Sequence, residues 1–251
     1  MSGARAAAEA PELLLQHHLK KLKLPTVLRE HEKIARQCAE GNVDHVRYLA
    51  RLVELELLDR EARMIDRRIK TARFPAHKTL DSFNFDAIPK LNKKLVLELA
   101  RGEFVSRQEN VIALGPSGVG KTHVAIGIGV AACQRGVKTR FVTAAALVSE
   151  MIEARDERRL QRFQKALAAC ELLIIDELGF VPLSKTGAEL LFELISQRYE
   201  RSYAGFWVMR PDQAARFAVS FAATPSVNVT PSMTKGNWFA PFSRRHVFAA
   251  A

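Results

Sequence analysis

The residues Gly115-Pro116-Ser117-Gly118-Val119-Gly120-Lys121-Thr122 set three glycines, a lysine and a hydroxyl at the spacing of a phosphate-binding loop. Glycines leave successive backbone N–H groups free to converge on an anion, and a helix opening at Lys121 adds the positive end of its dipole. Lys121 is expected to reach the β- and γ-phosphates of a nucleotide, and the Thr122 hydroxyl to offer Mg²⁺ an oxygen ligand. A second run, Leu172-Leu173-Ile174-Ile175-Asp176-Glu177, closes four apolar residues with two carboxylates. Asp176 is expected to hold Mg²⁺ through water, and Glu177 to polarise the water that attacks the γ-phosphate in line. ATP and Mg²⁺ are therefore the expected cofactors, with Lys121 and Glu177 as the catalytic pair.

A third group, Arg155, Arg158, Arg159, Arg162 and Lys165, is spaced so that most members share one face of a helix. Two readings stand open: a solvated charge run partnered by Asp156 and Glu157, or a contact with DNA phosphates. Only Phe163 interrupts the cluster with an aromatic ring, so the DNA reading favours backbone contact over base stacking.

These residues need a particular scaffold. The run Asn110 to Leu114 has the apolar character and length of a strand and feeds the glycine loop. A helix over Lys121 to Gln134, a strand over Lys138 to Thr143, a helix over Ala145 to Ala168, a strand over Leu172 to Asp176 and a helix over Gly187 to Arg201 follow. Strands alternating with helices predict an α/β class, a parallel sheet covered on both faces. Ahead of it, Pro11 to Leu22, Pro25 to Glu40 and Asp44 to Ala72 read as helices, and a short amphipathic helix spans Leu91 to Arg101. In the third helix Val46, Leu49, Leu52, Val53, Leu57, Met64, Ile65 and Ile69 make a broad apolar stripe that calls for a partner surface. Its other face interleaves Arg47, Arg51, Arg60, Arg63, Arg67, Arg68 and Lys70 with Glu54, Glu61 and Asp66; an ion-paired solvated face and a docking face are both open. Pro75 bars helix continuation, and the Phe83-x-Phe85 pair beyond it needs burial.

The expected organisation is a helical N-terminal domain over residues 1–73 for DNA or partner docking, a linker over 74–90, an ATPase core over 91–202 and an atypical, partly disordered tail over 203–251. In 251 residues there is room for one ordinary domain and a smaller one. A net charge of +11 points to a polyanionic partner: DNA, RNA or a lipid surface. No apolar run reaches the ~18 residues of a membrane span, and the start of the chain lacks a secretory pattern, so a cytoplasmic protein is expected. Cys38, Cys133 and Cys170 lie too far apart for a zinc site or a disulfide framework and are expected to be buried thiols.

Several segments together resemble the IstB-like insertion-sequence helper ATPases of the AAA+ class, relatives of the DnaC helicase loaders. They are Leu22-x-Leu24-Pro25-Thr26, Ala72-Arg73-Phe74-Pro75, Lys78-Thr79-Leu80-Asp81-x-Phe83-x-Phe85, Asn110 through His123, and Asp176-Glu177-Leu178-Gly179-Phe180-x-Pro182-Leu183. The resemblance covers residues from about 16 to 201. It implies an oligomer that assembles on DNA with ATP and helps a partner transposase choose and join its target, or, as in DnaC-like proteins, loads a helicase. It also implies that residues 115 to 123, His123 included, bind nucleotide and that the helix from Arg155 faces DNA.

Beyond Gln197-Arg198-Tyr199-Glu200-Arg201 the resemblance stops. The family would continue with a strand ending in a polar sensor, usually Asn, and then an arginine-bearing segment. Ala204 to Met209 is a candidate for that strand, but Arg210-Pro211-Asp212 follows it, and the tail carries both tryptophans and six charged residues. In such folds this strand lies between the glycine-loop strand and the acid-bearing strand, so its loss would expose two sheet edges. If Ala204 to Met209 fills that slot, the sheet is kept while the sensor and arginine finger are lost, and nucleotide binding would then outlive hydrolysis, because a finger supplies roughly 10³-fold in rate or more.

Overall fold

A computed structural model describes residues 2–89, 91–178, 184–200, 204–209, 232–234, 237–239 and 245–249. The chain divides into two compact units, Met1–Arg67 and Arg68–Ala251.

The first unit is built on α1 (Ser2–Lys21), α2 (Pro25–Glu40) and most of α3 (His45–Ala72). Pro11 falls inside α1, which begins earlier than the expected Pro11 start. Asp44, expected as the first helical residue of α3, is its cap: its Oδ1 accepts from Val46 N and Arg47 N. Pro25 opens α2 at its first turn, where a missing N–H costs nothing. The remaining amides of that turn find an acceptor on another helix. The buried Glu56 carboxylate accepts from Thr26 N at 2.8 Å and Val27 N at 3.2 Å, and pairs with Arg60 and Arg63 at 3.3 and 3.2 Å. Thr26 Oγ1 and Arg29 in turn donate to Asp59. Two basic residues read as surface charge thus converge on an acid inside the unit. The apolar stripe of α3 divides: Leu52 is buried, whereas Val46, Leu49, Val53 and Leu57 are between 47% and 77% exposed.

The second unit holds the sheet. After α4 (Lys93–Ala100) and the single turn α5 (Glu103–Ser106) come β1 (Asn110–Leu114), α6 (Lys121–Gln134), β2 (Thr139–Thr143), α7 (Ala144–Asp156), α8 (Leu160–Ala168), β3 (Leu172–Leu178), α9 (Lys185–Glu200) and β4 (Ala204–Met209). Strands β5 (Ser232–Thr234) and β6 (Asn237–Phe239) form an antiparallel pair, and β7 (Arg245–Ala249) follows. The main sheet runs β2-β3-β4-β1-β7, with every neighbouring pair parallel. Strand β4 takes the slot between β1 and β3, matching Ala113 to Val208 on one side and Ile174 to Phe206 on the other. Strand β7 continues the sheet beyond β1, with Ile112 opposite Val247. The expectation of tail disorder, applied to 210–231 and 240–244, lies outside the described residues.

Side-chain alternation splits the core in two. Val111, Ala113, Leu172, Ile174, Phe206 and Val208 pack with α4 and α6 on one face. Leu173, Ile175 and Trp207 pack with α7, α8 and α9 on the other. Both faces being covered, the strands read as unbroken apolar runs. Gly205 lies beneath the Trp207 ring, where an added Cβ would meet ring carbons at 2.1 to 2.7 Å, so the tryptophan depends on a glycine there.

One expected helix is two. The segment read as a single helix from Ala145 to Ala168 ends at Asp156, where Arg159 N reaches Ala154 O and Arg158 N reaches Arg155 O, with Arg158 at φ 56°. That is a Schellman closure made without glycine. Chain direction changes because Leu160, Phe163 and Leu167, on one face of α8, turn in to the second core.

Arg198 secures this corner. Its guanidinium, in a side chain on α9 that is 3% exposed, donates to Leu167 O in the last turn of α8, to Cys170 O just after it and to Ala204 O at the start of β4, at 3.0 to 3.1 Å. Cys133 is buried as expected and Cys170 half-buried; burial raises both thiols above their ordinary range.

Two predictions follow from these clamps. Burial alone would raise the Glu56 carboxyl, but the amides of Thr26 and Val27 and the charges of Arg60 and Arg63 outweigh it and bring it below its ordinary range. A depressed carboxylate stabilises the folded unit above its unfolded value and loses that contribution as pH falls through the lower folded one. The gap in thermal midpoint between wild type and Glu56→Gln, followed by circular dichroism, is expected to be large at neutral pH and to close on acidification. Arg198→Ala removes a buried donor shared by three carbonyls, of which Leu167 O keeps the Cys170 amide, and is expected to lower stability by roughly 2–4 kcal/mol. Denaturant titration followed by tryptophan fluorescence measures it, and Arg198→Lys should recover only part because a point charge cannot span all three.

Candidate functional site

The glycine loop occupies the turn from β1 into α6, as the sequence requires. Gly118 and Gly120 have φ of 82° and 80°, a left-handed geometry that a side chain would strain. Gly120 is the cap of α6, so the first amides of that helix face the loop. Lys121, 8% exposed, folds its Nζ back onto Gly115 O at 2.8 Å and Pro116 O at 2.6 Å. These bonds hold the ammonium within the concave loop, where anionic oxygens compete for the same protons. Thr122 follows on the first turn of α6 and is half-buried.

The acid pair sits near the end of β3, which runs to Leu178, two residues beyond the expected strand limit of Asp176. Pairing with β4 is regular through Ile175 and Trp207, then slips so that Leu178 meets Met209. This irregularity coincides with Glu177, at φ 56°, and separates the two carboxylates. Asp176 is 5% exposed and Glu177 is exposed, with Glu177 N donating to Asp176 Oδ1 at 2.9 Å. A left-handed glutamate carries strain of about 1 kcal/mol or more, of the kind that gathers at catalytic positions. The buried Asp176 carboxylate receives that single hydrogen bond among the described residues, leaving oxygen capacity of the hard type that Mg²⁺ prefers. Together with the Thr122 hydroxyl it is a donor set that fits Mg²⁺. Because Leu114 and Leu178 both align with Met209 of β4, the glycine loop and the acids emerge at the same edge of the sheet.

Sequence reasoning missed a third component. Residues 79–83, read only as part of a linker, lie along α6 as a strap. Phe83 and Phe85 meet edge to face at 4.8 Å, and both pack on the first core, giving the burial their pattern called for. Phe83 and residues after it line, with the loop, a cavity of about 770 Å³ whose walls include Phe83, Asn84, Ile88, Val119 and His123. The Phe83-x-Phe85 pattern was the available signal, since two aromatics in a boundary segment must be buried against something.

The basic cluster does not share one helix face. Arg155 closes α7 and pairs with Asp156 at 3.6 Å; Arg158 and Arg159 form the corner, Arg159 beside Glu157; Arg162 and Lys165 lie on α8. The Schellman turn at Arg158 redirects the chain between them, which is why helical spacing misled. All five are exposed. Nearby, Arg140 pairs with Glu150 and lies over the Phe163 ring at 5.9 Å, so the aromatic residue of the cluster is engaged inside the protein. The segment Gly179-Phe180-x-Pro182-Leu183 that followed the acids in the resemblance lies outside the described residues.

A family profile described as IstB-like ATP binding protein matches residues 17–204, three quarters of the chain. The chain belongs to that family. Members similar to it include the ATP-binding protein of insertion sequence IS5376 from Geobacillus stearothermophilus, 36% identical over 75% of each chain. The ATP-binding protein of IS21 from Pseudomonas aeruginosa is 38% identical over 73% of this chain and 69% of its own. Among solved structures, the DnaC helicase loader aligns at a TM-score of 0.45 and 21% identity, covering 62% of this chain and 88% of that one. The family match includes the whole of the strap, the glycine loop and the acid pair, and ends at the first residue of β4.

Proposed function

We propose that this IstB-like protein binds and hydrolyses ATP with Mg²⁺ and uses that cycle as a DNA-associated helper of a transposase in the cytoplasm. The observation that carries the reading is the convergence of glycine loop and acid pair on one sheet edge in a chain whose relatives belong to insertion sequences. In it, residues 115 to 123 hold the nucleotide, Lys121 neutralises the β- and γ-phosphates, and Thr122 and Asp176 hold the metal. Glu177 orients the attacking water, its exposed carboxylate aimed away from Asp176 by the slip in β3. The metal, when bound, polarises the phosphoryl oxygens and draws charge from the transition state. The strap cavity takes the base and ribose, its apolar walls suiting a flat heterocycle.

DNA enters the proposal through the exposed corner of Arg155, Arg158, Arg159, Arg162 and Lys165. A corner presents cations over a broader arc than one helix face, which suits phosphates along a curved strand. Assembly of several copies on DNA and docking of the transposase complete the reading. No helix among the described residues is long and apolar enough to cross a membrane.

A specific observation favours a second reading, an ATP-gated adaptor for DNA or a helicase that turns over little ATP. The family match ends at residue 204, and Arg210 follows β4 where the family would place its sensor. One assay decides between the two. In the first reading wild type turns over ATP faster with DNA, and Glu177→Gln loses about 10²-fold or more while still binding nucleotide. Equal turnover in the variant would sink the role of Glu177; a wild type that binds ATP without turnover on DNA would establish the adaptor.

A further inference from the structure

The strap rests on one face of α6, and that face is small except at one position. Gly120, His123 and Gly127 stand at i, i+3 and i+7, which brings them onto a single side of the helix. At Gly120 an added Cβ would come within 2.7 Å of Phe83 Cε2. At Gly127 it would come within 2.7 Å of Leu80 Cδ2 and 3.1 Å of the Leu80 backbone nitrogen. The two glycines are notches that receive strap residues. Between them His123 Nε2 lies 2.9 Å from Thr79 O and 3.2 Å from Ser82 Oγ, and its ring meets Phe83 edge-on at 5.1 Å. A carbonyl oxygen only accepts, so Nε2 carries the proton and donates it to the strap. Ser82 Oγ also donates to Thr79 O and accepts from Thr79 N, so the strap segment is a closed turn that His123 holds as one piece.

The same turn of α6 therefore faces two ways. Lys121 reaches back into the glycine loop, and two residues on, His123 ties down the wall of the cavity beside it. We infer that His123 is a positioning residue for the nucleoside end of ATP: through Nε2–H it holds strap residues 79–83 against α6 so that the base-sized cavity is formed before nucleotide arrives. The inference rests on the ATP reading above and adds to it a division of labour, phosphates to residues 115 to 122 and the adenosine to a wall that His123 fixes. A wall already in place saves the ordering cost that a loose segment would charge against affinity.

The test compares two probes on the full chain by isothermal titration calorimetry, Mg·ATP and inorganic triphosphate with Mg²⁺. His123→Ala should weaken ATP about tenfold, the worth of one such hydrogen bond, and leave triphosphate within twofold, which also reports an intact fold. His123→Gln, whose amide N–H can donate to Thr79 O, should recover most of the ATP affinity. Gly127→Ala, which lifts Leu80 without touching His123, should reproduce the selective loss. Equal weakening of both probes, or no weakening of either, overturns the inference. A wild-type chain that binds triphosphate as tightly as ATP also overturns it, whereas one that binds neither overturns the ATP reading itself and the inference with it.

Discussion

The parallel pairing of β4 with both β1 and β3 is the constraint on which the rest of the site depends. Strand β1 carries the glycine loop and β3 carries the carboxylates, yet the two are not paired with each other; each is paired to β4 instead. Removal of β4 would leave two rows of unsatisfied backbone groups inside a covered sheet, a cost no side-chain contact offsets. Its own residues serve both faces, Phe206 and Val208 turned to one core and Trp207 to the other. Arg198 reaches across from α9 to fix its first carbonyl, so the helix before the strand and the strand itself are set by one buried guanidinium.

From that register the chemistry follows. The ends of β1 and β3 are brought level, and the slip near Glu177 turns one acid inward and the other outward. In the proposed ATPase, buried Asp176 would serve the cation and exposed Glu177 the attacking water, different tasks requiring different surroundings. On the far side of α6, the strap brings apolar walls to the mouth of the same loop. Gly120, Gly127 and His123 decide how closely the strap approaches.

Much of this was legible from the chain itself. Strands buried on both faces appear as apolar runs, so β1 matched its expected limits and β3 was found by its four aliphatics. The glycine loop and α6 were likewise legible, since their spacing admits few other conformations. The break at Arg158 was not, because nothing in Glu157-Arg158-Arg159 resembles a helix stop; only the burial of Leu160, Phe163 and Leu167 forces the turn. Glu56 was invisible for a similar reason, as an acid among basic neighbours reads as surface until another helix presents its amides. The strap escaped notice as a site because its contacts with Gly120, His123 and Gly127 exist only after some forty residues of chain have closed on themselves. Strand β4 was recognisable as a candidate from its apolar run, and its slot between the glycine-loop strand and the acid-bearing strand, expected from the fold, is the one it takes. Strand β7, opening on Arg245-His246, offered no pattern at all.

Amide hydrogen exchange on the full chain, resolved by mass spectrometry, tests the placement of β4 between β1 and β3. With β4 hydrogen-bonded on both sides, peptides spanning Phe206 to Val208 are predicted to exchange as slowly as those from Val111 to Ala113 and from Leu173 to Ile175. Exchange of the β4 peptides at the rate of an open chain, with β1 and β3 still protected, would contradict the account.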